Sequence, residues 1–266
     1  MIDRFDLFIV AHPAFRERYD YIMQHAATRS AQTPRVVGVV GRDVLAKTPD
    51  LPRHPGLNPG QLGCALSHLA AYRIMAANDI PHAVVIEDDA ALPEGFDDLA
   101  REVLSALQPG EIISFHSPTQ ERNAFSAFGA RRIGGSLLVT PMEARSVRTT
   151  LCYAIDLGAA RSILRGNDPV AFLADDFRAF HALGLVNHLR IFSPSLVDLA
   201  PFESVIGYRK RIAGMQHVAW LLNRTPGVKE ILKWRRRRLR MSGDGNHVIV
   251  PDVSPLMAGN PAYQME

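Results

Sequence analysis

An α/β fold, with a mainly parallel sheet flanked by helices, is what the sequence predicts, and three observations predict it. Short apolar runs of strand length alternate with amphipathic helical stretches over the first half of the chain. Several of these runs are apolar at every position, as in strands buried on both faces. The most acidic triplet follows directly on one of them, where open α/β sheets place their ligands.

The first run, Phe5 to Val10, stops at Ala11-His12-Pro13 and reads as a buried strand. Arg16 to Ala27 reads as a helix. Val36 to Val40 is a second buried strand stopped by Gly41. Four prolines and a glycine between Thr48 and Pro59 make that stretch an extended connection. Asn58-Pro59 signals a helix start, with Asn58 as N-cap and Pro59 at the first helical position. Apolar residues at Leu62, Leu66, Leu69, Ile74 and Ala77 then carry that helix to Ala77. Ala83 to Ile86 is a short strand running into Glu87-Asp88-Asp89. A helix over Gly95 to Leu107 and a strand over Glu111 to Phe115 follow. Thr119 to Arg132 is polar and contains glycine, and is expected to be a loop. Val139 and Leu151 to Ile155 read as strands, Gly158 to Arg165 and Val170 to Leu183 as helices. The tail after Met241, rich in Gly, Pro and Asn, is either disordered or a strap over the domain. Residues 1–230 are expected to form one domain, with 231–266 a basic segment and tail.

Composition excludes several classes. With 266 residues the chain can bury about three quarters of its unfolded surface. It therefore needs no staple, and its two cysteines, Cys64 and Cys152, make neither a disulfide framework nor a zinc finger. No run reaches the roughly 18 to 20 apolar residues of a membrane span. Asp3, Arg4 and Asp6 break any signal peptide, so the expected location is cytoplasmic.

The net charge of +3 hides an asymmetry. Lys233, Arg235, Arg236, Arg237, Arg238 and Arg240 put six basic residues into eight positions, and the rest of the chain is mildly acidic. Such a run is either a solvated face or a contact for an anionic membrane surface, at about 1 kcal/mol per residue. Trp234 and Leu239, with the apolar Val218 to Leu222 and Val228 to Leu232 before them, suit a membrane interface. No aromatic interleaving or recognition motif supports nucleic acid, which is not expected as a partner.

Three adjacent carboxylates repel one another unless a cation joins them. Glu87 and Asp89 project to one side of an extended segment and Asp88 to the other. A hard divalent ion, Mn²⁺ or Mg²⁺, held by Asp89 and Glu87 and completed by water and a diphosphate, is the expected occupant. The alternative is an exposed acidic turn. A second pair, Asp175-Asp176, is either a helix N-terminus or, if it faces the triplet, the source of a general base. His68 lies one helical turn beyond Cys64 and is either a packed core residue or a ligand. His12, His116 and His181 are further candidate metal or phosphate ligands.

Leu57-Asn58-Pro59-Gly60-Gln61-Leu62-Gly63-Cys64-Ala65-Leu66-Ser67-His68, followed by Val84-Val85-Ile86-Glu87-Asp88-Asp89-Ala90, resembles the pattern of glycosyltransferase family 25. Members read Gly-Glu-x-Gly-Cys-x-x-Ser-His and then a strand ending in Glu-Asp-Asp; here Gln61 stands in place of the acid. The opening strand Ile9-Val10 with Arg16 and Arg18, the segment Cys152 to Leu164, Asp175, and Phe192-Ser193-Pro194 to Ser204 are similar to further parts of the family. The resemblance implies a GT-A-like, Rossmann-type fold and an inverting hexosyltransferase, usually moving galactose from UDP-galactose to a glycan such as lipopolysaccharide core. It implies that Glu87-Asp88-Asp89 is a DxD-like motif binding the donor diphosphate through the metal. It places Ser67, His68, Gln61, Val10, Arg16, Glu87 and Asp88 at the donor and Asp175, or its alternate Asp176, as the base. Ser67 and His68 would either lie near the donor or hold the acidic loop. A lipid-linked acceptor would give the Lys233 to Arg240 run a purpose at the inner face of the cytoplasmic membrane. The competing reading is a catalytically inactive nucleotide-sugar or glycan-binding protein of the same fold.

Overall fold

The computed structural model describes residues 4–117, 123–142, 144, 147, 149–202 and 247–250. The basic run from Lys233 to Arg240, the boundary expected near residue 230 and the Ser204 end of the family-like segment lie outside them.

In chain order the elements are β1 (Asp6–Val10), α1 (Arg16–Arg29), β2 (Arg35–Val37), α2 (Gly41–Lys47), α3 (Pro59–Ala77), β3 (His82–Glu87), β4 (Ala90–Ala91) and α4 (Phe96–Ala106). There follow β5 (Glu111–Ser114), β6 (Asn123–Ile133), β7 (Ser136–Pro141), β8 (Cys152–Asp156), α5 (Leu157–Gly166), α6 (Phe177–Ala182), β9 (His188–Ser193), β10 (Asp198–Leu199) and β11 (His247–Val250).

Among the described residues, nine strands form one sheet in the order β11-β6-β7-β9-β5-β8-β3-β1-β2. Only β7 and β8 run against the others. This is the α/β architecture expected, with a mixed sheet. The two apolar faces are covered separately. Phe8 and Val85 point towards α3, α5 and α6, packing with Leu62, Leu69, Tyr72, Tyr153 and Phe177. Leu7, Ile9, Val84 and Ile86 point the other way, to Ile22 of α1 and Phe96 and Val103 of α4. Burial on both faces is why the stretches Leu7 to Val10 of β1 and Ala83 to Ile86 of β3 are uninterrupted apolar runs.

α3 begins where its caps dictate. Asn58 Oδ1 accepts the Gln61 N–H at 2.9 Å, and Gln61 Oε1 accepts the Asn58 N–H at 3.0 Å, a reciprocal capping box with Pro59 at the first position.

Four expectations are corrected. The strand expected over Val36 to Val40 ends at Val37, because Gly38 leaves the ladder and packs on the end of β1; a Cβ there would stand 2.1 Å from Ala11 O. The short helix α2, with Asp43 in its first turn and Lys47 in its last, was not expected. From Asn123 on, the polar stretch expected as a loop is in fact strand β6, joined to β7 by Gly134-Gly135, both at positive φ as a two-residue hairpin turn demands. The helix expected over Val170 to Leu183 forms only as α6. Asn167 Oδ1 accepts the N–H groups of Ala171 and Phe172 at 2.9 and 2.8 Å, holding the stretch before α6 as a loop.

Candidate active site

β1, β2 and β3 run parallel, and their C-terminal ends open into a cleft of about 420 Å³. It is lined by Val10 at the end of β1 with His12 and Phe15 beyond it, by residues 38–43 after β2, by Gly60, Gly63, Cys64 and Ser67 of α3, and by Glu87 at the end of β3 with Asp88 and Asp89 beyond it.

The wall after β2 depends on two close backbone approaches. A Cβ on Gly63 would meet Val39 O at 2.6 Å and Gly41 N at 2.7 Å, so only glycine lets α3 approach the loop this closely. Ser67 fastens the same contact: its hydroxyl donates to Gly63 O at 2.7 Å and accepts the Val39 N–H at 2.9 Å. Ser67 thus borders the cleft and holds its wall.

His68 lies deeper. Its Nε2 donates to Glu87 Oε1 at 3.1 Å, and its Nδ1 lies 2.7 Å from the Tyr153 hydroxyl, which is 2.7 Å from that of Tyr72. Thr150 Oγ1 also donates to Glu87 Oε1. Burial alone would raise Glu87, but the hydrogen bonds from His68 and Thr150 hold it below its usual range. His68 therefore holds the first residue of the acidic loop.

Arg18, buried on α1, serves the other two acids. Its Nε donates to Asp88 Oδ1 at 2.8 Å and its Nη2 lies 2.7 Å from Asp89 Oδ2. Asp89 Oδ1 is buried and has no hydrogen-bond partner among the described residues. Burial, then the neighbouring Glu87 charge, pushes Asp89 up to about 6; Asp88 is raised for the same leading reason. A strap closes over this loop. β10 pairs with β4, Ala200 N–H donates to Asp89 O at 2.8 Å, and the Phe202 ring lies 5.6 Å from the Arg18 guanidinium carbon.

The loop before α6 brings Asp175 to this group. Burial, and then the field of Glu87, pushes it up to about 6. Asp176 instead caps α6, its Oδ1 accepting the Ala179 N–H at 3.2 Å.

Of the other expected site residues, Arg16, Gln61, His116 and His181 stand apart. Arg16 is exposed and pairs with Asp20 at 3.5 Å on the solvent side of α1. Gln61 is engaged in the α3 cap. His12 borders the cleft and accepts the Ala14 N–H at 3.0 Å. His116 is buried and donates to Val197 O at 2.9 Å, and His181 is buried in α6. Sequence reasoning did not single out Tyr72, Thr150 or Phe202 for the site, nor the hydroxyl role of Tyr153. None of them carries a local signal, because each matters only through a partner far along the chain.

No helix among the described residues is long and apolar enough to cross a membrane. In the comparison with protein families, the model described as glycosyltransferase family 25 (LPS biosynthesis protein) matches residues 43–177, half of the chain. The match runs from α2 to the start of α6 and includes Gly63, Ser67, His68, the acidic triplet and Asp175. No curated protein matches the chain.

Proposed function

Because the chain belongs to glycosyltransferase family 25, we propose that it transfers a hexose, galactose from UDP-galactose, with inversion, to a glycan of the lipopolysaccharide-core type. The observation that carries this reading is the cleft at the ends of β1, β2 and β3, where Glu87, Asp88 and Asp89 meet Arg18 and Asp89 keeps an unpartnered buried oxygen. Its volume of about 420 Å³ suits a small-molecule ligand. Phe15, 38% exposed at its border, offers an aromatic face to a nucleobase.

The donor set fits a hard divalent ion. Asp89 Oδ1 is a bare oxygen in an acidic setting, and Glu87 stands beside it, so these two residues would hold Mn²⁺ or Mg²⁺. When bound, the ion would neutralise charge developing on the diphosphate leaving group. Arg18 holds Asp88 and Asp89 at the strand end. His68 and Thr150 fix Glu87 in its ionised form.

Asp175 is assigned as the base that takes the acceptor hydroxyl's proton. A carboxylate raised to about 6 is a better proton acceptor than an ordinary aspartate and is still ionised at neutral pH. Asp176 is left to its capping role. The Lys233 to Arg240 run then serves as the contact of a cytoplasmic enzyme with the anionic inner membrane face, where a lipid-linked acceptor resides.

The test is release of UDP from a panel of UDP-hexoses by the purified protein with Mn²⁺, with and without EDTA and a glycan acceptor. Release from one donor, abolished by EDTA and lowered at least about 100-fold in Asp89→Asn at a melting temperature no lower than that of the unmodified protein, is the expected result. Tight UDP binding without release, even with acceptor, would favour the inactive binding protein. Absence of any nucleotide interaction would overturn both.

A further inference from the structure

The floor of the cleft carries a second donor set, different in chemistry from the carboxylates above it. Cys64 and His68 lie one turn apart on α3 and so share a face, and Glu87 meets them from the end of β3. One ligand atom from each, a sulfur, an imidazole nitrogen and a carboxylate oxygen, lies within 4.8 Å of the others.

Thiol, imidazole and carboxylate together are donors for zinc; a hard ion such as Mg²⁺ gains nothing from the sulfur. Cys64 and Glu87 both line the cleft, which gives an ion a route from solvent. The support around the imidazole is of the kind metal-bound histidines use. Nδ1 of His68 is held 2.7 Å from the Tyr153 hydroxyl, leaving Nε2 turned to Glu87. The local field also favours a cation. Burial first, then the charges of Glu87, Asp175, Asp88 and Asp89, raise the Cys64 thiol well above its ordinary range.

We propose that Cys64, His68 and Glu87 form a binding site for a thiophilic divalent cation, Zn²⁺, at the base of the cleft. The balance of protons is simple. The thiol S–H gives its proton to solvent as the sulfur binds the ion. His68 changes tautomer, carrying its proton on Nδ1 and donating to the Tyr153 oxygen; the Tyr153 hydroxyl then donates to Tyr72. Either tyrosine hydroxyl can be the donor in that pair, so the chain accommodates the reversal. Drawing the three ligand atoms to zinc bond lengths brings them to about 3.5 Å apart, within the reach of side-chain rotation. Glu87 is also one of the two residues assigned above to the hard ion, so the two ions compete; that competition rests on the proposed function, while zinc binding itself does not.

The experiment uses the full chain, stripped of metal and kept reduced. Cd²⁺ serves as the spectroscopic probe, through its thiolate charge-transfer band, and Zn²⁺ is titrated calorimetrically in two buffers of different ionisation enthalpy. One equivalent of either ion should bind, with a thiolate band and one proton released. Cys64→Ser should remove the band and weaken Zn²⁺ at least about 100-fold, whereas Cys152→Ser should keep both; Tyr153→Phe should weaken Zn²⁺ about 10-fold. Zn²⁺ should also shield Cys64 of the unmodified protein from alkylation, mapped by peptide mass spectrometry, which needs no variant to fold. No thiolate band, a band that survives Cys64→Ser, or full alkylation of Cys64 with zinc bound would overturn the site.

Discussion

Two buried groups of arginine and carboxylate lie in this sheet, and they are built differently. Between β5 and β9, Arg190 grips Glu111 with Nε at 2.5 Å from Oε1 and Nη2 at 2.8 Å from Oε2. The Gln108 N–H donates to Oε2 at 2.7 Å, and Arg190 Nη2 also donates to Ala106 O at 2.6 Å. One charge answers one charge, and both carboxylate oxygens are hydrogen-bonded. At the end of β3, a single guanidinium faces two aspartates, a third acid is held by a histidine and a threonine, and Asp89 Oδ1 has no partner among the described residues. The balanced pair ties two strands together. The unbalanced group leaves a buried acceptor oxygen without a partner on a residue that lines the cleft, the difference expected between a ligand site and a brace.

The sharpest break in this comparison is at Glu111. Glu111→Ala leaves the Arg190 guanidinium buried without its carboxylate and is expected to cost about 3–5 kcal/mol in urea unfolding. A loss below about 1 kcal/mol would mean that the pair braces nothing. Next comes Gly63→Ala, which tests the wall of the site. The added methyl must push back Val39 O and Gly41 N, costing about 1–3 kcal/mol and raising donor KM with little change in kcat. Unchanged stability and KM would show that the loop after β2 is slack.

The smallest effect is electrostatic and depends on pH. Burial raises Asp89 from an ordinary 3.8 to about 6 in the folded chain, so between those values the native state binds a proton that the unfolded chain has released. Stability in EDTA therefore falls as pH rises from about 4 to 6. Asp89→Asn should be about 1 kcal/mol more stable than the unmodified protein at pH 8, with the gap closing by pH 4. A variant less stable at pH 8 than at pH 4, relative to the unmodified protein, would show that Asp89 is as well satisfied as Glu111.

How much was legible follows the same physics. α3 was readable to its first residue because Asn58, Pro59 and Gln61 form its cap from adjacent positions. β6 was not, because residues such as Arg131 and Arg132 face solvent and dilute the apolar signal. Gly134-Gly135, the one local clue to the hairpin, counted for less than the polar composition around it. The stretch from Val170 fits a helical pattern that Asn167 overrides by taking two of its N–H groups. In the site, the acidic triplet stood out as a run of like charge after an apolar strand. The arginine pair was visible too, but not which member serves the acids.

The sequence by itself determined the α/β class, the acidic strand end, the capped helix with its Gly-Cys-x-x-Ser-His face, and the family to which these belong. All of these are written in neighbouring residues, where periodicity, capping and charge act over a few positions. Tertiary structure alone decided that Arg18, 70 residues before Asp88 in the chain, neutralises the acids, and that Arg16 does not. It also decided that His68 hangs between Glu87 and two tyrosine hydroxyls, and that Asp175 is swung into the same field. Those contacts depend on where the sheet sets its strand ends, and desolvation and distance, which fix each charge, exist only once the chain has closed around them.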